Sequence, residues 1–312
     1  MLADPTSTLQ HEAPRLDALR ARPGERRDLP SNAIDPLHAI VVEGGAMRGI
    51  YAAGVLDEFT ERGFHPFGLA VGASAGACNL SSHLAGNLGR NRRCFFDQMR
   101  RPEFVDGRRY LRGGHWMDID WLWDAFNRED PLDTYAAAAH PTTFVIAATS
   151  VRTGEPTWFI PDGAVMNEVL RASSAVPMMF RRYVDIDGER YFDGGVGAPI
   201  PVEEAYKRGA RKIVVIRSRP RAFGGPSRLE SLLVPLVLRD APGIAKAFRA
   251  YRDVYAKSVA FLRNPPADCT VIEVVPDEHL RTGRTTRDLR SLRADYALGR
   301  RSGIDAIRRW NR

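Results

Sequence analysis

The sequence predicts an α/β fold layered around a mostly parallel sheet, and three observations carry that expectation. Short apolar runs of strand length recur along the chain, among them LHAIVV, FGLAV, TTFVIAATS, KIVVI and DCTVIEVV. The first is continuous and ends in glycine, which suits a strand buried on both faces of a parallel sheet. Between the runs lie segments with helical spacing, and strand–helix alternation is the pattern of an α/β sheet. The length of 312 residues, 44% of them hydrophobic, is enough to bury a large core.

Residues 1–36 are rich in Arg, Pro, Asp and Ser and poor in aromatics, and are expected to form a flexible basic tail. A single α/β domain is expected over 37–312. After the strand LHAIVV, the segment MRGIYAAGVLDEFTERG is helical; Ile50, Val55, Leu56 and Phe59 share a face, and Gly63 suits the C-terminal cap. FGLAVGAS is a strand and AGACNLSSHLAGNLG a small-residue helix. Residues 91–140 are helical and aromatic. TTFVIAATSVRTGEPTWFI makes two strands around Thr153-Gly154, and MNEVLRASSAVP is a helix stopped before Pro177. RYVDIDGERYFDGG is a hairpin with Asp187-Gly188 as a type I′ turn. VEEAYKRGARKIVVIRS is helix, Gly209, strand. SRLESLLVPLVLRDAPG is amphipathic but broken by Pro235; a helix over 241–263, a strand at DCTVIEVVPDE and a closing helix are expected to complete the same sheet.

Composition narrows the setting. No apolar run nears the roughly 20 residues of a membrane helix. The N-terminus lacks the apolar segment of a secretory signal. Cys78, Cys94 and Cys269 share no metal spacing and read as free thiols of a reducing cytoplasm. The formal charge is +7, with 41 arginines among 45 basic residues. A solvated surface shaped by base composition accounts for that bias, and contact with the anionic inner membrane face is its functional alternative. No nucleic-acid partner is expected, and no metal or other cofactor.

Two glycine-rich turns and one aspartate carry the chemistry. In VGASAGACN, Ser74 stands between Gly72 and Gly76, after a strand and before a helix. That is the order of a nucleophile elbow, in which a tight turn lifts the hydroxyl out of the sheet. It is equally the place of a serine N-cap. EGGAMRG, with Gly44, Gly45, Ala46, Met47, Arg48 and Gly49, also joins strand to helix. A dinucleotide loop there wants an acidic residue ending the next strand, which instead ends Gly-Ala-Ser. The alternative is an oxyanion hole of backbone N–H groups. Arg48 either orders this loop, attracts a phosphate head group or forms a salt bridge. Asp193, in YFDGG before Gly194 and Gly195, is a candidate base for the serine or an ordinary turn aspartate. His279 follows the strand TVIEVVP and is a candidate third member of a Ser–Asp–His triad. His83 lies nine residues past Ser74 on one helix, on the opposite face. Trp116, Trp121, Trp123 and Phe126 fit core packing, with an acyl channel or membrane contact as alternatives.

Together GGAMRG, GASAG and DGG, in that order, resemble the patatin-like phospholipases, especially their bacterial members. The likeness extends through ASSAVPMMFRRYVDIDGERYFDGGVGAPIPVEEAYKRGARKIVVI; it covers about 39–217 well and 218–312 loosely. The resemblance implies a three-layer α/β/α fold and metal-free hydrolysis of lipid acyl esters by a Ser–Asp dyad. Ser74 would be the nucleophile and Asp193 the base, with the amides around Gly45, Ala46 and Met47 as oxyanion hole and Arg48 ordering them. Lipid or ester is the implied substrate. One departure stands out: the family's third loop glycine is Ala46, and alanine resists positive φ. A non-catalytic member of the same fold is the rival reading.

Overall fold

A computed structural model describes residues 33–223, 225, 242–276 and 280–312. Its centre is a sheet in the order β5-β6-β3-β2-β1-β7-β8, with β4 also paired to β3. The strands are β1 (Asp35–Val42), β2 (Phe67–Ala73), β3 (Thr143–Ser150), β4 (Pro156–Phe159), β5 (Val184–Ile186), β6 (Glu189–Asp193), β7 (Lys212–Ile216) and β8 (Thr270–Val274). β3, β2, β1, β7 and β8 run parallel, while β4 and β6 lie antiparallel to β3, and β5 to β6. The fold is thus α/β with a mostly parallel sheet. β1 starts at Asp35, so Asp35 and Pro36 belong to the sheet and not to the expected tail. Residues 1–32 of that tail, and SRLESLLVPLVLRDA within 227–241, lie outside the described residues.

Alternation along β1 sorts the layers. Ile40 and Val42 pack with Ile50 and Leu56 of α1 (Gly49–Glu61) and with Leu292 and Trp310 of α11 (Leu289–Trp310). Ala39 and Val41 point the other way, toward Val202 of α9 (Val202–Lys207) and Tyr255 and Val259 of α10 (Pro242–Arg263). Helices on both faces of a sheet make three layers. The remaining helices are α2 (Ala75–Leu84), α3 (Arg90–Phe96), α4 (Gly107–Leu111), α5 (Ile119–Glu129), α6 (Thr134–Ala139), α7 (Met166–Ser173) and α8 (Gly194–Gly197).

α1 differs from its amphipathic expectation. Every residue from Gly49 to Phe59 is buried, because α11 covers the face that sequence left for solvent. The two helices cross at glycines: a Cβ on Gly54 would lie 2.3 Å from the Tyr296 carbonyl oxygen, and one on Gly299 2.1 Å from that of Tyr51. The turns agree with their chemistry: Asp187 and Gly188 have φ of 51° and 77°, both positive as a type I′ turn requires.

Candidate active site

β2 ends at Ala73 and α2 begins at Ala75, leaving Ser74 in the turn at φ 54°, ψ −133°. A non-glycine residue in that region stores about 1–3 kcal/mol of strain and persists only when neighbours hold it. The neighbours are identifiable. Ser74 N–H donates to Ser173 Oγ at 2.8 Å, and the Ser173 hydroxyl donates to the Ala147 carbonyl at 2.6 Å. The turn also closes tightly on β1, since a Cβ on Gly76 would lie 2.4 Å from the Val42 carbonyl oxygen; Gly72 packs against Ala77 just behind. Ser74 occupies the N-cap position of α2 but does not cap it. Its Oγ donates instead to Asp193 Oδ2 at 2.7 Å.

Asp193 arrives from the antiparallel strand β6, where it faces Ala148 of β3. Thr149 Oγ1 donates to its carbonyl at 2.8 Å, and its N–H donates to Ala175 at 3.0 Å, so both main-chain groups are fixed. Oδ1 accepts the Gly195 N–H at 2.7 Å. Gly194 must lack a side chain, because a Cβ would sit 1.9 Å from the Ala147 carbonyl oxygen. The carboxylate is 5% exposed. Burial pushes its pKa up to about 6, although the bonds from Ser74 and Gly195 and the charge of Arg284 pull the other way.

The EGGAMRG loop lies against this pair. A Cβ on Gly44 would be 3.0 Å from Ser74 Cβ. Among the described residues, the N–H groups of Gly44, Gly45 and Ala46 have no hydrogen-bond partner, whereas Met47 N–H donates to the Arg284 carbonyl at 3.3 Å and Arg48 N–H to that of Gly45 at 3.2 Å. Met47, expected among the free donors, is therefore already engaged. Gly49 packs on Ala75 and Phe95, and its carbonyl accepts from Asn79 Nδ2 at 2.8 Å. Arg48 makes no salt bridge among the described residues; its Nη1 is buried without a partner, and burial with the charges of Arg219 and Arg284 pushes its pKa down to about 10.

A buried network backs the loop. Ser218 Oγ donates to the Gly44 carbonyl at 2.6 Å, and Ser218 N–H to Glu43 Oε2 at 2.8 Å. Tyr255 Oη donates to Glu43 Oε1 at 3.1 Å. Burial raises the Glu43 pKa, opposed by Arg219 and Arg217.

Two spaces meet at Ser74. One is a narrow apolar cavity of about 60 Å³, walled by Phe95, Met99, Phe104, Met117, Leu122 and Trp123. The other is a cleft of about 510 Å³ that contains Asp193 and Gly195 and extends to Arg219, Tyr251 and Arg284. Ala46, Ser74 and Val176 border both.

A sequence profile described as patatin-like phospholipase matches residues 40–206, and a domain of unknown function (DUF6363) matches 241–312. The chain belongs to the patatin-like phospholipase family. An uncharacterized Escherichia coli K12 protein, YjjU, is 36% identical over 273 residues, covering 85% of this chain and 75% of that one. Among solved structures, VipD from Legionella pneumophila overlays with TM-score 0.47 at 13% identity, covering 89% of this chain and 67% of its own. Human GIVD cytosolic phospholipase A2 overlays with TM-score 0.47 at 11% identity, covering 92% and 64%.

In this patatin-like chain Ala46 has φ 51°, so the alanine adopts the left-handed conformation that the family's glycine would take freely. The cost is about 1–2 kcal/mol, and the backbone N–H stays available. Sequence reasoning missed Ser173, Ser218, Glu43, Tyr255 and Arg219. Ser173 sat inside the quoted ASSAVP segment, but nothing in its spacing points back to a serine 99 positions away. His83 faces away from Ser74, as expected: its Nδ1 meets Thr60 Oγ1 at 2.7 Å and its Nε2 meets His65. His279 lies outside the described residues. The aromatic stretch divides: Trp123 and Phe126 line the cavity, Trp121 packs on the core and Trp116 borders the cleft. Among the described residues one group has metal-ligand types, His115, Asp118 and Asp120. Each is engaged by protein: Asp120 with Arg171 and Arg182, Asp118 with Trp121 N–H, and His115 Nδ1 with Arg181 N–H. No helix among the described residues is long and apolar enough to cross a membrane.

Proposed function

We propose that this chain is a serine hydrolase of lipid acyl esters that works through a Ser74–Asp193 dyad and an acyl-enzyme. The observation that carries the reading is the direct 2.7 Å hydrogen bond from Ser74 Oγ to the buried Asp193 carboxylate. A serine that caps its helix would accept from the backbone N–H groups; this one makes no such bond and donates to Asp193 instead.

The steps follow from the groups in place. Ser74 Oγ attacks the ester carbonyl as its proton passes to Asp193. The N–H groups of Gly44, Gly45 and Ala46, without a partner among the described residues, are the candidate donors for the oxyanion, each such donor being worth about 2.7–4 kcal/mol. Collapse expels the alcohol, which takes the proton from Asp193. Water then attacks the acyl-enzyme with Asp193 again as base, and collapse releases the carboxylic acid as Ser74 Oγ takes the proton back from Asp193. A carboxylate with pKa near 6 is a better base than a free one, yet far weaker than an alkoxide. Positioning and oxyanion stabilisation must therefore supply most of the acceleration. The narrow apolar cavity suits an acyl chain, and the cleft suits the leaving group.

The three thiols are free, which fits the reducing cytoplasm proposed for this protein. The deciding experiment is labelling with a fluorophosphonate probe. The wild-type protein should react at Ser74 and hydrolyse short p-nitrophenyl esters, and folded Ser74→Ala should do neither. Undiminished labelling of the variant would overturn the nucleophile assignment. Folded His279→Ala should retain most activity if the dyad is complete; a collapse as deep as that of Ser74→Ala would mean a triad.

A further inference from the structure

The loop that carries the candidate oxyanion donors is held from the C-terminal part of the chain, beyond the residues that supply Ser74 and Asp193. Tyr255 of α10 is fully buried, and its hydroxyl is a relay. It accepts from Arg217 Nη2 at 2.9 Å and donates to Glu43 Oε1 at 3.1 Å. Glu43 is 1% exposed, and its other oxygen accepts the Ser218 N–H at 2.8 Å. Ser218 Oγ in turn donates to the Gly44 carbonyl at 2.6 Å. That carbonyl and the Gly45 N–H belong to one planar trans peptide, so fixing the oxygen on Ser218 fixes the N–H in the opposite direction, away from Ser218. Nothing nearby stands in for the Tyr255 hydroxyl. Arg217 Nε is 3.9 Å from Glu43 Oε2 and Arg219 Nε 3.8 Å from Glu43 Oε1, both too long for a hydrogen bond. Farther along the loop, the Arg284 carbonyl accepts the Met47 N–H, and α11 covers α1, which starts at Gly49.

We propose that Tyr255 is a positioning residue for the oxyanion donors: its hydroxyl holds Glu43, Glu43 holds Ser218, and Ser218 fixes the peptide that carries the Gly45 N–H. The C-terminal segment, matched by a domain of unknown function, is then a working part of the site in this chain and not an appendage. A hydrogen bond weakens steeply as its distance and angle leave the optimum, so a donor must be aimed as well as present. The oxyanion exists only once the carbonyl has been attacked. A tilted donor therefore slows turnover and leaves ground-state binding alone, which separates kcat from KM. Removing such a donor outright costs about 10²–10³ in kcat; tilting one should cost about tenfold. The effect on catalysis rests on the hydrolase reading, but the holding of the loop does not.

The experiment compares hydroxyl deletions in the full chain. Tyr255→Phe breaks the relay. Tyr296→Phe is the control for lost stability, because its hydroxyl belongs to the same C-terminal segment but donates to Asp57 Oδ2 of α1, at 2.8 Å, and not to Glu43. Hydrogen exchange read by mass spectrometry reports on the loop without any substrate. Peptides containing Glu43–Arg48 and Arg217–Arg219 should exchange about tenfold faster in Tyr255→Phe and at the wild-type rate in Tyr296→Phe. On p-nitrophenyl hexanoate, Tyr255→Phe should lower kcat about tenfold with KM unchanged, and Tyr296→Phe should alter neither. A hexyl trifluoromethyl ketone, whose adduct on Ser74 carries an oxyanion, should lose affinity for Tyr255→Phe by the same factor as kcat. Ser218→Ala should repeat the kcat loss, and adding Tyr255→Phe to it should cost little more, because both cut one chain. Unchanged exchange at both peptides, a loss carried by KM, or full additivity of the two variants would overturn the proposal. Ser218→Ala protein with wild-type kcat would overturn it alone, even if Tyr255→Phe did not fold. Faster exchange in Tyr255→Phe, with no ester turned over by the wild type, would keep the brace and sink the hydrolase reading.

Discussion

The cavity and the cleft differ in size and in the charge at their far ends, and Ser74 stands where they join. The cavity is narrow and its wall is built from aromatic, methionine and leucine side chains held by α3, α5 and the segment between them. The cleft is several times larger and its far wall carries arginine and tyrosine. An amphipathic ester laid across Ser74 would find a narrow apolar wall on one side and, on the other, a wider mixed wall that ends in Arg219, Tyr251 and Arg284. A symmetric pocket would bind either end equally and leave the carbonyl unplaced. On the proposed reading the difference between the two sides would orient the ester, and that can be tested by breaking one side at a time.

The largest effect should come from the shared centre. Asp193→Asn removes the proposed base, and kcat/KM should fall about 10²–10⁴-fold on every ester, long or short, charged or neutral. A loss confined to one class of substrate would mean that Asp193 belongs to one side only. Next is the cavity. Leu122→Trp fills its wall and should lower kcat/KM for decanoyl esters about tenfold to a hundredfold, while acetyl esters change only a few-fold. Overpacking costs about 1–3 kcal/mol of stability, so circular dichroism must first show a native fold. Equal losses for both chain lengths would place the acyl group elsewhere.

The pH dependence sharpens the centre. As the proposed base Asp193 would have to be ionised, so kcat/KM should fall about tenfold per unit below about pH 6. Stability runs the opposite way. A carboxyl raised from 3.8 to about 6 favours the folded state while protonated, and that contribution is lost as pH rises through about 6. Asp193→Asn should then be more stable than wild type by about 1–3 kcal/mol at pH 8, with the gap closing near pH 4. A variant less stable at pH 8 would show that the hydrogen bonds to Asp193 outweigh its desolvation. The smallest effect is expected at the border of the two spaces. Ala46→Gly relieves φ 51° but adds glycine's entropy in the unfolded chain, so stability should rise by no more than about 1 kcal/mol. Activity should stay within a few-fold; a tenfold rise would mean that the alanine distorts the donors.

Much of the centre was legible because its chemistry is local. Ser74 and the loop from Gly44 to Gly49 each sit at a strand-to-helix turn, and a turn is written in a few adjacent residues. Asp193 was legible as a candidate from its glycines, although its 2.7 Å bond to Ser74 spans 119 positions and needed the sheet order to close. What supports the centre was not legible. Ser173 and Ser218 are single hydroxyls in ordinary surroundings, and only folding makes one a clamp on the elbow and the other a latch on Gly44. The full burial of α1 was missed because helical periodicity reports one partner face; the second partner, α11, arrives from the far end of the chain.

The crossing of α1 and α11 has a consequence for genetics. Glycine codons change by a single base to alanine, serine, cysteine, valine, arginine, tryptophan or an acidic residue, and every one of these carries a Cβ. At Gly54 and Gly299 that atom would meet a carbonyl oxygen of the facing helix at 2.3 Å and 2.1 Å. Helix backbones cannot yield there as a flexible side chain can, so missense alleles at both codons would separate the helices and loosen the segment that begins at Gly49. In a screen scored by activity alone, these two positions would look as intolerant as Ser74. Only a parallel measurement of protein abundance would reveal that they govern assembly and never meet a substrate.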